Sequence, residues 1–279
     1  MIVTEDDDRY RFVTQPDHAR QAGQFARHWG NNAFDRPDPY ASMSIAASIH
    51  DLGWSSRDCQ PYRRDGAPEQ FVDVTGTTWT SMYETAIDRT DAIDRYAATM
   101  VAMHGVGLRR QLYGTLSSMP ATAAEYEAFI AEQEARQRER LSELAASSAP
   151  VDAADVEFFD ELADDGTYDG DAADAPQLWT NYKLIEVWDR LSLYFCWNDP
   201  IDERTLGPVP IGYGQPDDGL RLEPTDRREA RVRPYPFDVS PLVASVPVRY
   251  VRTDVDSERE LIEAYYEADE ERLECTLHR

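Results

Sequence analysis

Apolar residues in the first 200 positions recur with helical spacing. Between Gln15 and Trp29, the positions His18, Ala22, Phe25 and Trp29 follow i, i+4, i+7 and i+11 and share one face of a helix. Thr14 precedes this stretch as a helix N-cap, with Asp17 three residues further on. Similar patterns predict further helices over residues 40–52, 79–89, 92–103, 121–146, 152–162 and 178–197.

The two ends of the chain have a different pattern. Residues 1–13 alternate weakly between apolar and polar positions, which predicts a short hairpin. After Asp199, proline and glycine recur, and short β-like runs follow at 220–222, 231–233 and 246–251, with a helix near 257–268 and a strand at 273–277. We therefore expect a mainly α protein, with a helical core over 1–199 and a small α+β extension over 200–279 packed on it.

Charge narrows the range of partners. The chain has 53 acidic and 28 basic residues, a formal net charge of −25, and Lys183 is the single lysine. A protein with this much negative charge repels nucleic-acid backbones and anionic lipid surfaces. We therefore expect neither as a partner. Concentrated salt screens the self-repulsion, and the composition is typical of a cytoplasmic protein from a halophile.

Two further features favour a cytoplasmic protein. The longest strongly apolar run, Leu191 to Trp197, is far shorter than a bilayer span. The first residues, MIVTEDDDRY, are acidic and lack the basic and apolar regions of a secretory signal. The three cysteines have no CxxC spacing, which argues against a disulfide framework and a cysteine zinc site.

Three of the five histidines are expected to point inward. His18 lies on the apolar face of the first helix, His50 shares a face with Met43 and Ala47, and His104 ends the apolar face of the helix over 92–103. Taken singly, each is more simply explained as a core histidine. His28 falls on a polar face of the first helix, which predicts a solvent-exposed side chain.

Two acidic residues favour a metal site over three separate core histidines. Asp51 adjoins His50, and Asp189 lies in the most apolar helix of the chain, LWTNYKLIEVWDRLSLYFCW. Burying a lone carboxylate costs several kcal/mol unless it is paired, hydrogen-bonded or bound to a metal. Asp189 can satisfy itself with an arginine, or it can join a metal site. Imidazole nitrogen and carboxylate oxygen suit divalent Zn, Mn, Fe or Ni. We predict a metal site formed by His18, His50, Asp51, His104 and Asp189.

These residues resemble a known pattern. His18, then His50-Asp51 within SIHDLGW, then Asp189 within VWDRLSL, resemble the HD superfamily of metal-dependent phosphohydrolases. With QPDHA, MHG and FIAEQ included, the chain resembles the DUF3891 family from Ile2 to about Cys275. The resemblance implies an HD-domain-like helical bundle that holds a divalent metal (Mn, Fe, Zn, Ni or Mg) with His18, His50, Asp51 and Asp189. It also implies that His104 serves a second metal or a substrate phosphate.

One departure from the superfamily concerns phosphate binding. Many hydrolytic members carry a lysine a few residues after the His-Asp pair, where this chain has Trp54. Arg57, Arg109 or Lys183 can replace that lysine, or the substrate is not a phosphate ester. Arg109 and Arg110, just beyond Gly107, are suited to binding phosphate oxygens by forked hydrogen bonds.

The expected function is metal-assisted hydrolysis of a small phosphorylated compound or nucleotide. Asp51 acts as general base or bridges metal and water, and His104 binds substrate or a second ion. The candidate substrate-binding residues are Arg109, Lys183, Trp54 and Gln133. Two alternatives stay open: a diiron oxygenase on the same scaffold, which typically uses four histidines, and a non-catalytic protein that binds a nucleotide or a partner.

Overall fold

The computed structural model describes residues 1–116, 119, 123–147 and 150–279. Within these ranges the α-helices are α1 Gln15–His28, α2 Tyr40–Ile49, α3 Gly76–Asp91, α4 Arg95–Gly107, α5 Glu127–Ala145, α6 Ala153–Asp165, α7 Gln177–Trp197 and α8 Glu258–Glu267. The Thr14 hydroxyl accepts a hydrogen bond from the Asp17 N–H, which confirms the predicted N-cap. The predicted helix over 121–146 is observed as α5, and positions 121 and 122 lie outside the described residues.

The strands are β1 Ile2–Asp6, β2 Arg9–Val13, β3 Arg63–Arg64, β4 Ala67–Pro68, β5 Arg204–Pro210, β6 Asp217–Asp226, β7 Glu229–Arg233, β8 Leu242–Arg252 and β9 Glu270–His278. The predicted hairpin is present as β1 and β2, with Ile2 opposite Val13. Seven strands form one sheet in the order β1-β2-β8-β9-β7-β6-β5. The pair β7–β9 is parallel and the other pairs in this sheet are antiparallel.

The expectation of a mainly α, HD-domain-like helical bundle is wrong. Of the described residues, 47% are helical and 21% lie in strands, including the curled seven-stranded mixed sheet. The N-terminal hairpin is not a small appendage, because β2 pairs with β8 and so joins the sheet built by the last third of the chain. Prolines at 208, 210 and 224 interrupt the apolar alternation of β5 and β6, and so their strand character is weak in the sequence.

The boundary between residues 199 and 200 stays a prediction. Both sides of it contribute to the sheet, since β1 and β2 precede it and β5 to β9 follow it. The sheet packs on the helices through contacts of β8 with α1 and of β5 with α7.

Helix α7 lies at the centre of the helical layer. It contacts α1, α2, α4 and β5, and nearly every one of its residues is buried, which explains why its sequence is apolar on almost all sides. The polar exceptions Asn181, Glu186, Asp189 and Ser192 are buried as well. Buried polar groups need hydrogen-bond or charge partners, so these positions are candidates for a functional site in the interior.

The HDLGW segment forms a tight junction between α2 and α3. His50 ends α2, and a 3-10 helix, Leu52–Ser56, follows Asp51. An ideal Cβ on Gly53 would come within 1.7 Å of the Met82 carbonyl oxygen on α3. Only glycine therefore lets the 3-10 helix approach α3 this closely, and the junction fixes the position of the His50-Asp51 pair.

Candidate metal centre

Three helices and the turn after α2 bring the five predicted ligands together. His18 comes from the first turn of α1, His50 and Asp51 follow α2, His104 lies in the last turn of α4, and Asp189 lies in the middle of α7. All five side chains are buried, and Asp189, the most exposed of them, retains 6% of its surface. The structure thus brings all five side chains close together in the interior, and their binding of a metal stays a prediction.

The distances at this point are short. His18 Nε2 lies 2.8 Å from Asp189 Oδ1 and 3.8 Å from Asp51 Oδ2. His50 Nε2 lies 3.4 Å from each of the same two oxygens. Two groups, His18-His50-Asp51 and His50-His104-Asp189, each offer ligand atoms within 4.8 Å of one another. Such separations are of the size that lets several side chains reach a single ion.

The outer nitrogens of two histidines are fixed by their hydrogen bonds. His50 Nδ1 lies 3.0 Å from the Ala47 carbonyl oxygen, which can only accept, so Nδ1 donates. His18 Nδ1 lies 2.8 Å from Ser192 Oγ. The Ser192 hydroxyl lies 2.9 Å from two further acceptors, the His18 carbonyl oxygen and Gln21 Oε1, so its proton goes to one of them and its oxygen accepts from Nδ1. In the neutral rings, both Nε2 atoms therefore present lone pairs to the centre.

The convergent atoms need a positive charge between them. Two imidazole Nε2 atoms and two carboxylates face one another, and His50 Nε2 has no well-directed hydrogen bond to any of the described residues. Burial by itself would lower the pKa of His50, but Asp51 and Asp189 raise it well above its ordinary value. Burial would raise the pKa of Asp189, but His18 and His50 hold it well below. The donor set and the unpartnered nitrogen fit a divalent cation.

His104 is oriented by a carboxylate that the sequence analysis did not single out. Its Nδ1 donates to Glu186 Oε1 at 2.7 Å, and its ring centroid lies 4.9 Å from that of His50. Burial lowers the pKa of His104, but Glu186 more than offsets this, so the pKa lies above the ordinary value for histidine. The pair therefore directs His104 towards the other ligands and favours its charged form.

Asp51 accepts a hydrogen bond from Tyr83, a residue that was not predicted from the sequence. The Tyr83 hydroxyl donates to Asp51 Oδ1 at 3.1 Å. The ring of Tyr83 packs closely on α4, where an ideal Cβ on Gly105 would come 2.7 Å from Tyr83 Cδ1. This contact gives the glycine of the MHG segment its role.

A signal for two of the missed residues was present in the sequence. Glu186 and Ser192 lie three residues before and after Asp189, and residues three apart share a helix face. Once Asp189 is taken as a ligand, polar residues at this spacing on an apolar helix become candidates for its supporting partners. Tyr83 had no comparable signal.

The predicted substrate-binding side chains have other surroundings. The Arg109 guanidinium lies over the rings of Trp79 and Tyr126, at 3.8 Å and 4.1 Å from their centroids. Lys183 Nζ lies 2.6 Å from both carboxylate oxygens of Asp217 on β6, so it is engaged by the sheet and not by the cluster. Trp54 and Gln133 are buried. Two other arginines considered for phosphate form ion pairs, Arg57 with Glu69 and Arg110 with Glu134.

The cluster lies below the surface of the protein. One surface pocket, of about 640 Å³, lies between α6 and the start of α7, where Val151, Phe158 and Gln177 contribute to its lining. The five cluster residues line neither this pocket nor four other pockets found in the described ranges. The cluster is thus separate from these five pockets, and its side chains retain at most 6% of their surface.

Fold and site together define a protein of mixed α and β structure, with a mostly antiparallel sheet and a buried histidine–carboxylate cluster that could hold a metal ion. The chain matches the family model described as a protein of unknown function (DUF3891) over residues 1–253, so it belongs to that family, as its motifs predicted. No curated protein and no solved structure matches the chain. In the part of the chain that the structure describes, none of the helices has the length and apolar character needed to cross a membrane.

Proposed function

We propose that this protein is a metal-dependent hydrolase of a small phosphorylated compound, and that His18, His50, Asp51 and Asp189 hold one divalent cation. One observation carries the proposal: both Nε2 atoms and both carboxylates converge, while the two Nδ1 atoms are committed as donors to Ala47 and Ser192. A relationship to the HD superfamily is part of the proposal, supported by the same arrangement. So is a cytoplasmic location in a halophile, supported by the acidic composition.

The chemistry of the ligands favours some cations over others. Two nitrogens and two carboxylates suit Mn, Fe, Zn or Ni better than Mg, which prefers oxygen ligands and water. When bound, the cation supplies Lewis-acid activation of a water molecule and of a phosphoryl oxygen. Asp51, fixed by the hydrogen bond from Tyr83, accepts the proton of the attacking water as general base.

His104 takes the place of the lysine that is absent after the His-Asp pair. Glu186 favours the imidazolium form of His104, which keeps a proton on Nε2. This proton is donated to a phosphoryl oxygen of the substrate, as a charge-assisted hydrogen bond. The role suits a buried site, since His104 supplies positive charge without the long side chain of a lysine.

A centre with two cations is the second candidate, and the second ligand group, His50-His104-Asp189, favours it. This candidate includes the diiron oxygenase. The ratio of metal to protein separates the two: the hydrolase proposed here has one ion per chain, and the diiron enzyme has two irons and an absorption band that responds to oxygen.

The test of the proposal is hydrolysis by protein purified without chelator or affinity tag and supplied with Mn, Mg, Ni or Zn. We expect turnover of at least one phosphoester or nucleotide, and loss of that turnover in His18→Ala. His28→Ala is the matched control, because His28 lies on the same helix, is partly exposed and pairs with Asp238. Absence of turnover with every metal and every phosphoester contradicts the proposal and leaves the non-catalytic alternative.

A further inference from the structure

Glu186 connects the metal centre to a second group of buried polar side chains. Its Oε1 accepts the hydrogen bond from His104, whereas its Oε2 is buried and has no well-directed donor within the described ranges. A buried carboxylate oxygen without a donor costs free energy unless water or a ligand supplies one. This oxygen therefore marks a polar region beside His104 whose hydrogen-bonding capacity the protein itself does not use in full.

Two tyrosine hydroxyls lie near that oxygen. Tyr182 is one turn before Glu186 on α7, and Tyr113 packs edge-on against Tyr182 with ring centroids 5.4 Å apart. Both hydroxyls are buried and neither makes a well-directed hydrogen bond to any described residue, although the Tyr182 hydroxyl lies close enough to interact with the Glu186 carboxylate. Burial raises the pKa of both phenols well above the ordinary value and Glu186 raises it further, so both lie within electrostatic reach of this carboxylate.

A glycine on α4 makes room for one of these hydroxyls. An ideal Cβ on Gly107 would lie 2.2 Å from the Tyr182 hydroxyl oxygen. The hydroxyl can occupy its position against the last turn of α4 only because residue 107 has no side chain. The backbone of α4 is thus shaped to keep a polar atom in this space.

Helix α5 contributes two amides. Gln133 and Gln137 lie one turn apart, both are fully buried, and none of their four amide oxygen and nitrogen atoms has a hydrogen-bond partner in the described part of the chain. Fully buried glutamines are uncommon in a core, because each amide can form up to four hydrogen bonds. Two such residues at this spacing form a polar stripe on the buried face of α5.

The stripe faces the C-terminal half of α4. Arg110, just beyond the end of α4, pairs with Glu134, and Arg95, at the start of α4, pairs with Glu143. These two ion pairs show that α5 runs antiparallel to α4. Residues 133–137 therefore lie level with the C-terminal half of α4, which carries His104 and Gly107.

We infer that Tyr113, Tyr182, Glu186, Gln133 and Gln137 form a subsite, here named the hydroxyl subsite, that binds the sugar part of a sugar phosphate. The inference rests on the proposed function and names its substrate class. The phosphate lies at the cation and His104, and the sugar hydroxyls lie beyond Glu186. A carboxylate oxygen, two phenols and two amides offer many donors and acceptors to a group rich in hydroxyls.

The same side chains disfavour other groups. The Arg110 guanidinium is paired with Glu134, so it does not offer a free charge to a second phosphate. The Tyr182 ring stacks on Trp179 at 5.1 Å between centroids with an interplanar angle of 25°, so that face is closed to a nucleobase. Hydrogen bonding to hydroxyls is the interaction that these residues leave open.

The test compares binding of ribose 5-phosphate and of inorganic phosphate to the metal-loaded protein by calorimetry. We expect ribose 5-phosphate to bind at least tenfold more tightly than phosphate. Gln133→Leu and Gln137→Leu keep the side-chain volume and remove amides that have no protein partner, so the melting temperature stays unchanged or rises. Each should weaken ribose 5-phosphate at least tenfold and leave phosphate binding unchanged.

Two further variants complete the design. Glu139→Gln, on the exposed face of the same helix, is the matched control and should bind both probes like the wild type. Tyr182→Phe keeps the ring packing and removes one hydroxyl, and so it tests the subsite even where a leucine variant fails to fold. Equal affinity of the wild type for both probes, or wild-type affinity in the folded variants, overturns the inference and leaves only water in this space.

Failure of the subsite can be distinguished from failure of the proposed function. Binding of free ribose, followed by ligand-detected NMR, should persist in His18→Ala and disappear in Gln133→Leu. If the protein holds no metal but binds ribose in this way, the hydrolase proposal is wrong and the subsite stands. If metal and phosphate bind, but the affinity for ribose and ribose 5-phosphate is the same with and without the Gln133 and Gln137 amides, the subsite alone is wrong.

Discussion

His18 and Asp189 are separated by 171 residues, yet His18 Nε2 lies 2.8 Å from Asp189 Oδ1. The contact exists only because α1 packs directly against α7 in the folded protein. A ligand set of this kind is absent from the unfolded chain, so a cation that binds here stabilises the folded state. The centre and the helical layer therefore depend on each other.

Ser192 supports the centre without being a ligand. In Ser192→Ala, His18 Nδ1 loses its acceptor, so the ring is free to take the other tautomer and turn away. We expect metal affinity to fall about 10- to 100-fold, while stability changes by about 1 kcal/mol. Competition with a fluorescent chelator measures the affinity. Ser142→Ala, an exposed serine on α5, is the control, and equal metal affinity in the two variants would refute this role.

Gly53 holds the His50-Asp51 pair against α3. Gly53→Ala places a methyl group in the space occupied by the Met82 backbone, so the junction must open. We expect a loss of about 3 kcal/mol in the free energy of unfolding by urea. In Gly66→Ala the added Cβ meets nothing within 4 Å. The cost is then the backbone strain of a φ of +89°, about 1 kcal/mol. Similar losses in both variants would show that the junction is not tightly packed.

Glu134 makes stability depend on pH. Burial raises its pKa from the ordinary 4.5 to about 7, although Arg110 and Arg138 act in the opposite direction and Asp164 adds to the rise. Since the folded pKa is the higher one, the stabilising contribution is complete below pH 4.5 and is lost as pH rises through about 7. The free energy of unfolding of the wild type, relative to Glu134→Gln, should therefore decrease from pH 4.5 to 7.5. A difference that stays constant across this window contradicts the assignment.

The net charge of −25 predicts a dependence on salt. The Debye length falls from about 10 Å at 0.1 M salt to about 3 Å at 1 M, so repulsion between surface carboxylates weakens. We expect the melting temperature to rise by at least roughly 5 °C between 0.1 M and 1 M KCl, equivalent to about 2 kcal/mol. Scanning calorimetry at the two concentrations measures this, and an unchanged or lower value at 1 M KCl would rule out the self-repulsion.

The helices were predictable because their signals are local. Thr14 and the apolar spacing after it define α1, and the observed Gln15–His28 agrees with them. The helix predicted over 92–103 extends to Gly107 as α4, and Gly105 within it lies under the Tyr83 ring, a contact that no local pattern contains. The sheet was not predicted because its pairing is also non-local: β2 pairs with β8, which lies more than 200 residues away in the sequence.

The five candidate residues could be named from the sequence because most of them interrupt an apolar pattern, and their role at a metal stays a prediction. His18, His104 and Asp189 stand out as polar residues on faces that are otherwise buried. The positions of the residues that orient them are set by packing between helices, which the sequence does not reveal. Only Glu186 and Ser192 could have been suspected, because each lies three positions from Asp189 on the same helix. Lys183 shows the opposite case: its charge suggested phosphate, but β6 supplies Asp217 as its partner, and that strand was not predicted in full.

Elemental analysis of protein purified without chelator or affinity tag tests the central claim most directly. The account predicts one divalent cation per chain in the wild type and in His28→Ala. It predicts less than a tenth of that in His18→Ala and Asp189→Asn, with unchanged helical circular dichroism. A wild type without metal, or full metal content in folded His18→Ala and Asp189→Asn, would contradict it.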